Sequence, residues 1–215
     1  MELNKIYNID AMEGLRGLPD NSIDMVLTDI PYGSVNRASN GLRNLDKGDA
    51  DIFNLDLRKL ISEIIRVTRG SIYMFCGYNQ VSEIYNKFVE NRLTTRMIVW
   101  EKSNPSPMNS KSVWMSGIEI AMYGKKHGGV FNGFYMNTVL KYPLQKSKIH
   151  PTQKSLSLFK KLIEISSNEN DTVLDAFMGS GTTAVACKEL NRKYIGFEIN
   201  NEYVRLANER IKGVD

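Results

Sequence analysis

Two short segments of this chain carry residue types in an order that can do chemistry. The first, Thr28-Asp29-Ile30-Pro31-Tyr32-Gly33, closes an apolar run near the N-terminus. At the end of a strand, the Asp29 carboxylate and the Ile30 backbone carbonyl are two acceptors able to hold one exocyclic amine. Pro31 fixes φ and stiffens the turn. Tyr32 offers an aromatic face on which a flat ring can stack. An amine conjugated to a heterocycle is a poor nucleophile, because its lone pair is delocalised. A site that uses it must aim that lone pair at an electrophilic carbon, which is work for positioning and electrostatics without a covalent enzyme intermediate. A carboxylate also complements the positive charge that builds on the amine, and then accepts or relays its proton. In isolation an Asp-x-Pro-Tyr turn is ordinary loop chemistry. Its place after an apolar strand, with a second motif downstream, makes it a candidate site.

That second motif is Asp175-Ala176-Phe177-Met178-Gly179-Ser180-Gly181-Thr182-Thr183. Thr172-Val173-Leu174-Asp175 ends a strand, and the turn at 177–181 opens a helix, where glycines let the backbone approach a ligand closely. Glu198 stands 23 residues beyond Asp175 in Gly196-Phe197-Glu198-Ile199-Asn200. That is close to the spacing of one βαβ unit with an acid that holds ribose hydroxyls. A dinucleotide site or a plain glycine turn also fits, although the absence of a full Gly-x-Gly-x-x-Gly argues against NAD.

Together these motifs closely resemble the S-adenosylmethionine-dependent DNA amino-methyltransferases of the permuted β group. The resemblance covers nearly the whole chain. That family's cofactor motif usually reads Asp-Pro-Phe-x-Gly-Ser-Gly-Thr-Thr, and here Ala176 replaces its proline. The family's His-Pro-Thr-Gln-Lys-Pro appears as His150-Pro151-Thr152-Gln153-Lys154-Ser155, and Tyr7-Asn8-Ile9-Asp10-Ala11-Met12 matches a segment before the catalytic strand. The family's usual Asp-Pro-Pro-Tyr has Ile30 at its first proline, which leaves the carbonyl available but the turn less rigid. The resemblance implies S-adenosylmethionine as methyl donor, no metal, and double-stranded DNA as substrate. It implies catalysis at Asp29, Ile30, Pro31 and Tyr32. Its cofactor residues are Asp10 and Ala11 by the adenine, Glu198 by the ribose, and Thr152, Gln153 and Lys154 by the methionine end. Asp29, Asp175, Phe177, Gly179, Ser180, Gly181, Thr182 and Thr183 complete that set. Lys154 can pair with the methionine carboxylate near a helix N-terminus; a solvated first-turn lysine is the rival reading. His150 is expected to be a structural histidine.

An acid at the head of the clamp, rather than serine, leans toward adenine N6. Cytosine N4 stays open, as do an RNA or protein-glutamine amine and a non-catalytic DNA-binding relative. In a duplex the amine is paired, so its base must flip out, at a cost of a few kcal/mol. Phosphate contacts would offset that cost and set register. Net charge is +4 with a pI near 8.9, but its distribution says more. Between Lys102 and Gln153 seven lysines stand against one acid, Glu119, so this stretch carries +6 and the remainder −2. A solvated lysine-rich loop or a phosphate-facing surface explains it. Lys111, Lys125, Lys126 and Lys141 are the expected DNA contacts. Residues 104–145, with Trp114, Tyr123, Phe131, Phe134, Tyr135 and Tyr142, form the candidate recognition region, although the aromatics also suit a local core.

Positioning these groups calls for alternating strands and helices. Strands are expected at 6–9, 23–28, 71–75, 95–100, 118–123, 172–174 and 194–197, and helices at 56–68, 79–91, 154–167, 181–190 and 201–211. In the helix at 56–68, Leu57, Leu60, Ile61, Ile64 and Ile65 share one face. The expected fold is α/β and Rossmann-like, a mostly parallel seven-stranded sheet with helices on both faces and circularly permuted motif order. One domain is expected over 1–215, with a catalytic half at 1–101, an inserted target-recognition region at 102–149 and a cofactor half at 150–215. The polar stretch 33–50 is expected to be a mobile loop over the site. With 215 residues, 42% hydrophobic and 24% charged, the chain has the composition of an ordinary globular protein. No apolar run is long enough to cross a membrane, and Met1-Glu2-Leu3-Asn4-Lys5 lacks a signal-peptide pattern. Cys76 and Cys187 are expected to be reduced core thiols. A cytoplasmic modification enzyme follows, solitary or paired with a restriction enzyme. The family also implies homodimers in many of its members.

Overall fold

An apolar strand, Ile23–Asp29, runs through the middle of the sheet and carries the first motif at its carboxyl end. The computed structural model describes residues 1–32, 56–105, 114–145 and 153–214. In chain order the elements are β1 (Lys5–Asn8), α1 (Ala11–Arg16), β2 (Ile23–Asp29), α2 (Leu57–Val67) and β3 (Thr68–Cys76). They continue with α3 (Val81–Glu90), β4 (Thr94–Lys102), β5 (Ile118–Lys125) and β6 (Val139–Tyr142). The last five are α4 (Leu156–Ser166), β7 (Thr172–Asp175), α5 (Thr182–Glu189), β8 (Lys193–Glu198) and α6 (Asn201–Lys212).

The strands form one sheet in the order β1-β8-β7-β2-β3-β5-β4-β6. Only β5 runs against its neighbours β3 and β4; every other pairing is parallel. The seven expected strands all form. The eighth strand, β6, pairs with the outer edge of β4 and was hidden in a stretch rich in Gly, Asn and aromatics. It is secured by burial of Leu140 and by the Trp100 indole N–H donating to the Tyr142 carbonyl at 2.9 Å. The helix α1 was also missed, because one and a half turns give no readable periodicity.

Helices cover both faces of the sheet. Side chains of α1, α2 and α3, among them Leu15, Leu60, Ile61, Ile64 and Phe88, pack with Val26, Ile30, Ile72 and Met74. Side chains of α4, α5 and α6, among them Leu158, Phe159, Leu162, Ala186 and Ile211, pack with Met25, Leu27, Tyr73 and Phe75. The face expected for α2 is the one it buries, with Leu57 at its partly buried edge. Asp56 caps α2 by accepting from the Lys59 N–H. Cys76 and Cys187 are free thiols in this core, and burial pushes both up, Cys76 to about 12. Among the described residues no helix is long and apolar enough to cross a membrane. The expectation for residues 33–50 lies outside the described residues.

The connections diverge at the centre. From β2 the chain leaves through α2 to β3; from β7, hydrogen-bonded to the other side of β2, it leaves through α5 to β8. Divergence between adjacent parallel strands opens a crevice beyond their carboxyl ends, where α/β sheets bind ligands. Asp29 ends β2 and Asp175 ends β7, so the two sequence motifs flank this crevice.

Candidate active site

The clamp turn is tied down on both sides. The Ile30 side chain is 1% exposed, and its N–H donates to the Phe75 carbonyl at 3.1 Å. The Gln80 amide donates to the Pro31 carbonyl at 3.0 Å and accepts from the Gly77 N–H at 2.9 Å. Sequence reasoning missed Gln80, whose role depends on a turn after β3 that has no motif of its own.

The Asp29 side chain points to the α4 face, like Met25 and Leu27 before it. One oxygen accepts from the Tyr32 hydroxyl at 2.8 Å; the other faces the Lys154 ammonium at 3.0 Å. Lys154 also donates to the Tyr32 hydroxyl at 3.2 Å and to Glu119 at 2.6 Å, and Glu119 in turn pairs with Lys102 at 3.0 Å. Lys154 is therefore not a solvated lysine: it is 8% exposed and sits above the Tyr32 and Phe75 rings. Burial and the Glu119 charge push the Asp29 carboxyl up, against the pull of Lys154. Burial works against the Lys154 charge, yet the two carboxylates raise it above the ordinary lysine range. Burial also works against Glu119, but Lys154 and Lys102 hold it below the usual carboxylate range. Burial pushes the Tyr32 phenol far up, so it stays neutral and donates. Glu119 was not among the expected site residues. Its signal was its isolation as the one acid of a lysine-rich stretch, inside a strand.

Asp175 is turned inward. Its carboxylate accepts from Thr28 and Thr183 hydroxyls at 2.9 and 2.6 Å and from the Phe177 N–H at 3.1 Å. Only 4% exposed, it fastens β2, β7 and the start of α5 together, so it shapes the loop instead of facing a ligand. Burial pushes it to about 6. Ser180, Thr182 and Thr183 are buried too, and the Arg210 guanidinium donates to the Ser180 carbonyl and the Thr182 hydroxyl, both at 3.0 Å. These residues build the turn from behind.

What the turn presents forward is Phe177, Gly179 and Glu198, all partly exposed. Gly179 at φ +50° and Gly181 at φ +78° hold left-handed conformations that favour glycine. At Gly179 the space is open, since an added Cβ would meet only the Phe177 carbonyl, 4.0 Å away. Glu198 is fixed by two backbone N–H donors, Gly179 and Asn200, both at 2.8 Å. Burial pushes its carboxyl up. Each carboxylate oxygen keeps a second lone pair for a ligand. Asp10 is the N-cap of α1, one oxygen accepting from Met12 and Glu13 N–H at 2.9 and 3.2 Å while the other stays out of the cap. Ala11, beside it, is buried.

Across the carboxyl ends of β1, β8, β7 and β2 the order is thus Asp10, Glu198, the 177–179 turn and Asp29. Three strand spacings separate its ends, about 14 Å. Gln153 lies beside Gln145, donating to it at 3.2 Å; Thr152 lies outside the described residues. Among those residues no cluster of His, Cys, Asp or Glu could hold a metal ion.

The expected DNA contacts separate. Lys141 ends on the clamp side of the sheet, paired with Glu101 at 2.7 Å. Lys125 and Lys126 do not sit beside the clamp. Because β5 is antiparallel, Lys125 is opposite Ser71 at the start of β3, while Asp29 is opposite Phe75 near its end. Both lysines are partly buried, Lys125 donating to the Gly129 carbonyl and Lys126 to the Asn21 side chain. Phe131, Phe134 and Tyr135 lie in the connection between the end of β5 and the start of β6. Lys111 lies outside the described residues.

The family profile for DNA methylases matches residues 109–209. The Type II methyltransferase M.HpaI of Haemophilus parainfluenzae is 32% identical, over 94% of this chain and 72% of its own. The crystal structure of the M1.HpyAVI–SAM complex superposes with a TM-score of 0.75 at 33% identity, covering 96% of this chain and 98% of that one. The cytosine-N4-specific PvuII DNA methyltransferase shares the fold, with a TM-score of 0.74 at 17% identity, over 98% of this chain and 86% of its own. With the two motif-bearing turns meeting at one crevice of the sheet, and a relative 32% identical over 94% of this chain, the chain belongs to the N6/N4 family of S-adenosylmethionine-dependent DNA methylases.

Proposed function

We propose that this enzyme methylates the exocyclic N6 of adenine in double-stranded DNA, with the target base flipped into the crevice beside Asp29. The observation that carries the reading is the placement of Asp29, at the end of β2, next to the 177–179 turn at the divergence of the sheet. S-adenosylmethionine, when bound, supplies an electrophilic methyl group. The open side of Gly179 fits a ligand pressed against the backbone. In this reading Asp10 accepts from the adenine amine of the donor and Glu198 from its ribose hydroxyls, while Gln153 stands at its methionine end; the Lys154 ammonium, expected to pair with the methionine carboxylate, is held instead by Asp29, Glu119 and Tyr32. The Asp29 carboxylate and Ile30 carbonyl accept from the target N6 and aim its lone pair; Tyr32 stacks on the target ring. Asp29 then takes or passes on the amine proton. The head acid of the clamp supports adenine over cytosine.

The chain divides in this proposal into a catalytic half at 1–101, a target-recognition insert at 102–149 and a cofactor half at 150–215. It works in the cytoplasm as a homodimer, as the family resemblance and the short insert suggest, and serves as a modification enzyme like its Type II relatives. The test is incubation with S-adenosylmethionine and unmethylated DNA, digestion to nucleosides and mass spectrometry. N6-methyladenine is expected. N4-methylcytosine would move the reading to the other base, and no methylated nucleoside on DNA of varied sequence would overturn it.

A further inference from the structure

On the α4 face of the sheet, four charged side chains alternate in sign: Asp29, Lys154, Glu119 and Lys102, with contacts of 3.0, 2.6 and 3.0 Å. They come from β2, the chain entering α4, β5 and β4, so the row crosses the sheet above Phe75 of β3. All are shielded, their side chains 29%, 10%, 18% and 11% exposed in that order. An ammonium has three donors, and those of Lys154 are spent on Asp29, Glu119 and Tyr32.

Two carboxylates compete for this one cation, and Glu119 holds it at the shorter distance. With Asp29 as its sole carboxylate partner, a shielded ammonium would press its whole charge on that group. The clamp carboxylate, whose two oxygens already face Lys154 and Tyr32, would then be a weaker acceptor. We propose that Glu119 is a positioning residue: by sharing Lys154 it keeps the Asp29 carboxylate able to accept the target amine, and Lys102 sets how far Glu119 can do so. This rests on the reading that Asp29 receives the amine. Asp29 is faced by Lys154, by Tyr32 beyond β2, by Glu119 of β5, by Cys76 of β3 and by Asp175 of β7. Of these, Glu119 alone is linked to a second lysine.

The substitutions Glu119→Gln and Lys102→Met therefore act with opposite sign. The first removes a negative charge and lets Lys154 lean on Asp29, so Asp29 ionises at lower pH. The second frees Glu119 from its outer partner, so Asp29 ionises at higher pH. The direct readout is the side-chain carboxyl titration of Asp29 by carbon NMR in the full chain, assigned with Asp29→Asn, with shifts of roughly half a unit or more expected. In single-turnover methyl transfer the acid limb of the pH–rate profile follows the same directions. Glu119→Gln loses about tenfold or more in plateau rate, while donor affinity changes by less than about threefold. Opposite shifts support the proposal; unmoved titrations, or shifts of one sign in both variants, overturn it. Absence of transfer by the unsubstituted enzyme would strike at the proposed function instead, and the titrations would still decide the role of Glu119.

Discussion

Ile30 stands where the family usually has a proline, and the structure shows what replaces the lost ring. Its N–H, which proline lacks, bonds to Phe75, and its side chain is sealed in the core, so the turn is held by packing and one hydrogen bond. In the proposed function the neighbouring carboxylate, Asp29, bears the chemistry. Asp29→Ala should raise the methyl-transfer barrier by about 2–4 kcal/mol, as for loss of an electrostatic group that faces developing charge. Donor binding, measured by calorimetry, should fall much less; near-normal turnover would sink the clamp. Asp175 makes a different prediction, about stability. Its folded value near 6 lies above the ordinary 3.8 because burial disfavours the charge, although three donors oppose that. The folded state thus holds the proton more tightly, so the stabilising contribution is full below the unfolded value and is lost as pH rises through the folded one. Over that window the wild type should lose on the order of 3 kcal/mol from this group. In denaturant unfolding across the same range, Asp175→Asn should show a visibly flatter decline; an unchanged slope would mean that the donors cancel burial.

Among the elements, the glycines of the 177–181 turn do two different jobs. Gly181, at φ +78°, begins α5, and an added Cβ would stand 2.9 Å from the Cβ of Ala207 in α6. Gly181→Ala should cost about 1–3 kcal/mol of stability through strain and crowding. Gly179→Ala, with open space before it, should cost less stability but more donor affinity. Thermal unfolding set beside donor titration checks the pair, and equal effects on both readouts would erase the distinction. Such roles were partly legible: Gly-x-Gly after an apolar strand announces a turn, and the strands and longer helices follow from periodicity. Which glycine meets α6 was not, since that contact joins segments some twenty-five residues apart in sequence. The same holds at the clamp. Asp29 and Tyr32 were readable from local spacing, but Glu119 and Gln80 enter through tertiary contacts across the sheet. The inward turn of Asp175 was hidden in part for the same reason, since one of its donors, Thr28, comes from β2. Short elements escaped as well, α1 for want of length and β6 for want of alternation.

At the scale of the molecule, charge that is contiguous in sequence is divided in space. The lysines between Lys102 and Gln153 suggest one basic surface, but β5 runs against its neighbours and carries its two ends to opposite edges of the sheet. From Glu119 to Lys125 that strand travels about 20 Å. The clamp edge keeps Lys102 and Lys141; the far edge receives Lys125 and Lys126, both already bonded within the protein. In the proposed function, phosphates beside a base flipped toward Asp29 would therefore meet the clamp edge. A cation that neutralises a phosphate releases counterions and contributes about one unit to the slope of log affinity against log salt. Lys141→Gln should lower that slope by less than about one unit, because Glu101 already shares its charge. Lys125→Gln combined with Lys126→Gln should leave it unchanged, and affinity at fixed salt with it. Fluorescence anisotropy on a labelled duplex over a salt series measures both. A reduced slope in the double variant alone would place the phosphates on the far edge, so that DNA would have to contact both edges of the sheet while one base reaches the clamp.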